Sequence, residues 1–249
     1  MKKQKLLNAL HSTLHTSRPL TFVLCTLFFA LFSTLHANAQ VFKTEEVEQF
    51  SIEKYGDDWV EQAQYLTEFI ELDKNNRLSF SRVIQCGRKD AEKLYELLSN
   101  WFTETFKDKK SEIMTNSKAE RLIIARGYLD DMADHVGGVN RYIVGIHPLI
   151  RVDIKDKRIK VHFLLNNYDV KKASGGGLIS KISGKDGSPN NYDGKWMFEN
   201  TYPFNPNDSH RKTSAQAFVM THIYSQMIFD KIEEVVNDGI VGFEDDDNW

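Results

Sequence analysis

Residues 149–165 read LIRVDIKDKRIKVHFLL, and the alternation inside this stretch decides the fold. With Asp156–Lys157 as a two-residue turn, Ile154 comes opposite Ile159, Val152 opposite Val161 and Ile150 opposite Phe163. The intervening positions pair Asp153 with Lys160 and Arg151 with His162. Side chains on a strand alternate between two faces, so one face of this unit is wholly aliphatic or aromatic and the other mostly polar. That is a half-buried antiparallel hairpin with opposite charges across it at Asp153 and Lys160.

A half-buried hairpin needs something to cover its apolar face, and two amphipathic helices are available. Upstream, the stretch KLYELLSNWFTETF (Lys93–Phe106) carries Ala91, Leu94, Tyr95, Leu98, Trp101, Phe102 and Thr105 at spacings of three and four, one stripe on one helix face. Gly87 can cap this helix, and Asp90 places a carboxylate in its first turn, where the helix dipole favours it. Trp101 shares its stripe with Leu94 and Leu98 and reads as core rather than as a ligand platform. Downstream, TSAQAFVMTHIYSQMIFDKIEEVVNDG is a long helix that Thr213 or Ser214 can cap and Gly239 can end. Its buried stripe is Ala217, Met220, Thr221, Tyr224, Met227, Ile228, Ile232 and Val235.

Between and before these elements the pattern is weaker. FIELDKNNRLSFSRVIQ (Phe69–Gln85) reads as a hairpin turning at DKNN, since Asp and Asn tolerate left-handed backbone angles. Strands are expected near Glu112–Thr115 and over Arg121–Leu129, and DDMADHVGG (130–138) as a loop. Residues 169–211, rich in glycine and holding three prolines, read as an irregular insertion with one short strand near KWMFE. Residues 40–65 form an acidic, mildly helical lead-in to a domain spanning 66–249. The economical arrangement is α+β: an antiparallel sheet with two helices packed on one face.

LDKNNRLSFSRVIQ, then GRKDAEKLYELLSNWF with Tyr95 and Trp101 six apart, then RLIIARG with its Gly127, together resemble a domain-of-unknown-function family of signal-bearing Bacteroidetes proteins. The resemblance covers roughly Phe69–Tyr168 and implies a TBP-like fold, in which a strand and a helix precede four strands and a second helix. It also implies export. It carries no catalytic residue.

The N-terminus supports export independently. Lys2, Lys3, Lys5 and Arg18 precede a 16-residue apolar run, Leu20–Leu35. Ala37 and Ala39 follow in the small-residue spacing of a signal peptidase site. The run falls short of the roughly 20 residues of a membrane span, so residues 1–39 read as a cleaved signal rather than a retained anchor. Cys25 lacks the small preceding residue of a lipidation site, since Leu24 stands there. Beyond Ala39, Lys+Arg falls from 32 to 28 against 35 Asp+Glu, a net charge of −7. Such a balance excludes nucleic acid as an expected partner, because that binding rests on cationic contacts to phosphate. Cys86 is then the only cysteine, so no internal disulfide is possible.

Candidate chemistry is sparse. Asp130, Asp131, Asp134 and His135 cluster, but their spacing matches no metal loop, and neither a metal nor another cofactor is expected. SGGGLIS (174–180) lacks the Lys-Ser/Thr pair of a phosphate loop. His147, Arg151, Asp153 and His162 fall on the polar sheet face. The expected function is therefore an exported non-catalytic module in the periplasm or medium. It would bind an envelope protein or a small molecule on the face marked by Leu149, Arg151, Lys160, His162 and Leu164, over which the 169–211 insertion could fold. The alternative is a hydrolase using Cys86 or the His147/His162 face, since Cys86 ends a strand just before a helix.

Overall fold

The structure, a computed structural model, describes residues 41–107, 110–137, 140–174 and 192–238. Helices α1 (Thr44–Tyr55) and α2 (Trp59–Leu66) lead into strand β1 (Leu78–Gln85) and helix α3 (Ala91–Thr105). Strands β2 (Glu112–Ser117), β3 (Leu122–Arg126), β4 (Leu129–Gly137), β5 (Asn140–Ile146), β6 (Leu149–Lys155) and β7 (Arg158–Leu165) follow. Then come β8 (Asn167–Ser174), β9 (Tyr192–Met197), a single 3-10 turn and helix α4 (Arg211–Asp238). The leader of residues 1–39, the stretch 175–191, the Gly239 stop and the acidic end after it lie outside the described residues.

The central hairpin has the register its sequence dictates. Ile154 faces Ile159, Val152 faces Val161, Ile150 faces Phe163, and Arg151 faces His162. Lys157 adopts φ 65, the left-handed angle that closes the two-residue turn. All strand pairs are antiparallel, in a five-stranded sheet ordered β1-β7-β6-β3-β2 and a four-stranded sheet ordered β4-β5-β8-β9. The sheets share their strands. β3 runs into β4, β5 into β6, and β7 into β8, with two residues or fewer at each joint, so three long bent strands cross from one sheet to the other. At one joint, Gly127 N–H donates to the Pro148 carbonyl at 2.9 Å, bridging two of the long strands. Counted this way, the chain is strand, helix, four strands and helix, the order implied by the resemblance, with β9 and the leading helices added.

α3 and α4 pack on the apolar side of this sheet. Asp90 is the α3 N-cap, accepting from Lys93 N at 2.8 Å, and Gly87 turns the chain beforehand with φ 61. Trp101 is 6% exposed and Tyr224 is fully buried, with the Tyr224 ring 6.0 Å from Phe163 of β7. Arg82 of β1 clamps α4 through Asp230 and donates to Gln226 at 2.8 Å. α4 is buried well beyond the expected stripe, at Phe218, Val219, Ile223, Phe229 and Val236 too, because α1 and α2 cover its flank. It begins at Arg211, ahead of Thr213, and Asp208 serves its first turn by accepting from His210 N and the Ser214 hydroxyl.

Three local expectations are corrected. Residues 69–77 form no strand. The turn is real, with Asp73 accepting from Asn75 N and Arg77 N and Asn76 at φ 57, but β1 pairs with β7, from Leu78 opposite Leu165 to Gln85 opposite Arg158, a long-range partner that no local reading supplies. Residues 130–137 belong to β4 rather than to a loop. The segment 169–211 opens inside β8 and holds all of β9, so its start is sheet rather than irregular insertion.

Candidate functional site

The two sides of the sheet differ completely. The even-numbered residues from Val144 to Ile154 are buried, while odd-numbered positions from His147 to Lys155 reach the opposite side. The alternation reaches the joint between β5 and β6 at His147, while Gly145 just before it is buried against Leu129 and Asp130. On β7 and β8 the same face shows Arg158, Lys160, His162 and Leu164, then Asn167, Asp169 and Lys171. Among the described residues every helix that packs on the sheet does so from the other side, where Ile150, Val152, Val161 and Phe163 are buried.

Leu149, Arg151, Lys160, His162 and Leu164 form one patch on this open face. Leu149 lies opposite Leu164, and Arg151 opposite His162. The register adds neighbours that sequence reasoning missed: Ser81 beside His162, Val83 beside Lys160, and Ile124 beside Arg151. No local signal marks them, because β1 and β3 reach β7 and β6 only through long-range pairing.

The patch is internally wired. Arg151 donates twice to Asp153, at 2.9 and 2.6 Å, which holds the Asp153 carboxyl below the usual carboxylate range. His162 Nε2 lies 3.8 Å from the same carboxylate. Partial burial, and then the nearby Lys160 charge, lower the His162 pKa below its ordinary value, which favours the neutral imidazole.

His147 sits farther along the face, at the joint. Its Nδ1 lies 2.8 Å from Asp169 Oδ2, and this hydrogen bond lowers the Asp169 pKa. The ring stacks on Tyr128 at 6.4 Å. The pair borders a hollow of about 210 Å³ lined also by Asp130, Asp131, Ile143, Gly145 and Lys171. The chains approach closely there: a Cβ on Gly145 would stand 3.1 Å from the Leu129 carbonyl oxygen, tighter than an ordinary contact.

The remaining candidates separate. Asp130 pairs with Lys110 and Asp134 with Arg141, while Asp131 stands in a left-handed backbone position at φ 53. Among the described residues no group of three or more His, Cys, Asp or Glu is placed to hold a metal ion. Cys86 is 1% exposed inside the core, and burial pushes its thiol pKa up, opposite to what a nucleophilic thiolate needs. We expect iodoacetamide to label Cys86 in the native protein at least roughly tenfold more slowly than in denaturant. Equal rates would reopen the thiol reading. No helix among the described residues is long and apolar enough to cross a membrane.

Residues 80–163 match the model of a family described as a domain of unknown function (DUF4468) with TBP-like fold. The chain is also similar to two solved structures. One is a TBP-like protein from Parabacteroides distasonis ATCC 8503, at 11% identity and a TM-score of 0.43, covering 66% of this chain and 94% of that one. The other is a DUF4468 family protein from Bacteroides ovatus ATCC 8483, at 13% identity and a TM-score of 0.40, covering 68% and 94%. No curated protein matches.

Proposed function

We propose that this chain, whose residues 80–163 match the DUF4468 family with TBP-like fold, is an exported non-catalytic module that binds an envelope component or a small ligand on its open sheet face. The observation that supports this reading is the one-sided cover of the sheet. α3 and α4 bury the apolar side, while the polar side, centred on Leu149, Arg151, Lys160, His162 and Leu164, is left uncovered by any described helix. Export rests on the leader pattern of residues 1–39, with cleavage after Ala39.

The His147–Asp169 pair is the feature that favours a hydrolytic alternative, because a carboxylate on Nδ1 orients an imidazole as a base. The described residues lining the hollow beside it offer no hydroxyl or thiol, which speaks against a covalent nucleophile and leaves water as the group this pair would activate.

The test uses the mature chain, residues 40–249, to capture partners from its own envelope extract, with wild type and Arg151→Ala/His162→Ala compared by mass spectrometry. Both side chains are partly exposed and neither belongs to the apolar core, so the double variant should keep the fold, which circular dichroism checks. The expected result is loss of the interactions that wild type makes. A double variant that retains all of them removes this face as the site.

A further inference from the structure

We propose that the hairpin end of the open face is a binding site for a small phosphate-type oxyanion, held by Lys155, Arg158 and Lys160. The inference rests on the reading of this face as the binding surface and gives its ligand a charge class. The register sets Lys155 directly opposite Arg158, and Lys160 follows Arg158 by two residues on the same side. Like charges placed directly opposite in an antiparallel pair are destabilising, so the sheet by itself disfavours this arrangement.

Only Asp153 offsets it, and only in part. Asp153, the carboxylate opposite Lys160, is already held by both hydrogen bonds from Arg151. Asp156, in the turn, accepts from Ala91 N at 2.9 Å and so faces α3. Among the described residues no ion pair engages Lys155, Arg158 or Lys160. The Lys160 charge is felt locally: it attracts the Asp153 carboxylate and disfavours protonation of His162.

The three cations line a hollow of about 330 Å³ together with Val83, 51% exposed, as an apolar wall, and with Asp153, whose carboxylate is turned to Arg151 by two hydrogen bonds. That volume lies in the range of small-molecule sites, roughly 300–1,000 Å³. A planar guanidinium offers two parallel donors to phosphate oxygens, and the two ammonium groups add point charges around them. An oxyanion carrying two to three charges would neutralise the three cations. On a chain whose net charge is −7 after Ala39, this is a local reversal of sign.

Inorganic pyrophosphate is the probe, titrated calorimetrically into residues 40–249 at low ionic strength, where screening is weak. The expected result is saturable binding at one site per chain, weakened at least tenfold by Arg158→Ala/Lys160→Ala and abolished by adding Lys155→Ala. Lys171→Ala/Lys195→Ala, which removes two cations of the same face at its other end, should change affinity less than twofold. Absence of saturable binding, or equal weakening by both pairs, overturns the proposal. If the hairpin-end variants also keep every partner that Arg151→Ala/His162→Ala loses, the open face stands as a binding surface and only its anionic ligand is withdrawn.

Discussion

Trp101→Ala should lower the stability of the fold by about 3–5 kcal/mol, the usual cost of truncating a buried Trp, and depress Tm by roughly 6–20 °C. Trp101 contacts Phe102 edge-on at 4.8 Å and Phe106 at 5.9 Å, and Phe102 in turn stacks on Phe106 at 5.0 Å. Phe106 reaches the bend at Gly127, where its Cε1 lies 3.5 Å from the position a Cβ would take. Removing the indole therefore opens a cavity between α3 and the joint of β3 and β4, in a cluster with little freedom to collapse. Tyr95 on the same helix makes the contrast: it is half-buried and its hydroxyl donates to Asn116 at 2.7 Å, so Tyr95→Phe should cost only about 1 kcal/mol. A thermal melt in which Trp101→Ala falls no further than Tyr95→Phe would show that this helix does not anchor the core.

The second large effect is a pH dependence centred on His222. Its ring lies 5.5 Å from Phe80 and 6.2 Å from Tyr55, and its Nδ1 is buried without a hydrogen-bond partner. Burial, with a smaller contribution from the Lys54 charge, pushes its pKa down to about 4. An unfolded His titrates near 6.5, so as pH falls the unfolded chain takes up the proton first. Stability is complete above about pH 6.5 and declines as pH falls toward 4, by about 3 kcal/mol in total. The carboxylates of Asp73, Asp153 and Asp169 have lowered pKa values, so their share of stability is lost only at about pH 4 and below. His162 is shifted in the same direction as His222 but is present in both proteins compared. Urea midpoints at pH 7, 5.5 and 4.5 should fall more steeply for wild type than for His222→Phe, which keeps a ring against Phe80. Parallel slopes would mean that His222 takes up its proton in the folded state without cost.

The readability of this chain followed its burial pattern. The hairpin of β6 and β7 was legible to the residue because seven positions from Ile150 to Leu165 alternate without interruption and one two-residue turn fits them. The helices α3 and α4 were legible because one face of each is apolar over several turns. β4 was not, since a bulge between Leu129 and Ala133 breaks the alternation and Asp131 stands at a positive φ. β8 was masked by its outward Asp169 and Lys171, polar for the same reason that the rest of the open face is polar. The hairpin expected over 69–85 failed on partner choice: β1 satisfies its backbone on β7, and Phe69, 68% exposed, has no sheet to join. Within the candidate site, the Arg151–His162 adjacency was readable from the turn, whereas Ser81, Val83 and Ile124 enter through pairings that no nearby residue encodes.

The three strands that pass from one sheet into the other leave the molecule without a seam. Fraying the half that holds β5 and β8 pulls directly on β6 and β7, because the same backbone continues across the bend and its ladder on one side is the anchorage of its ladder on the other. The hollow at His147, at the joint, and the hollow at Arg158, at the hairpin end, are thus built on the same continuous strands. Any occupant of one end leans on the same three lengths of chain that shape the other.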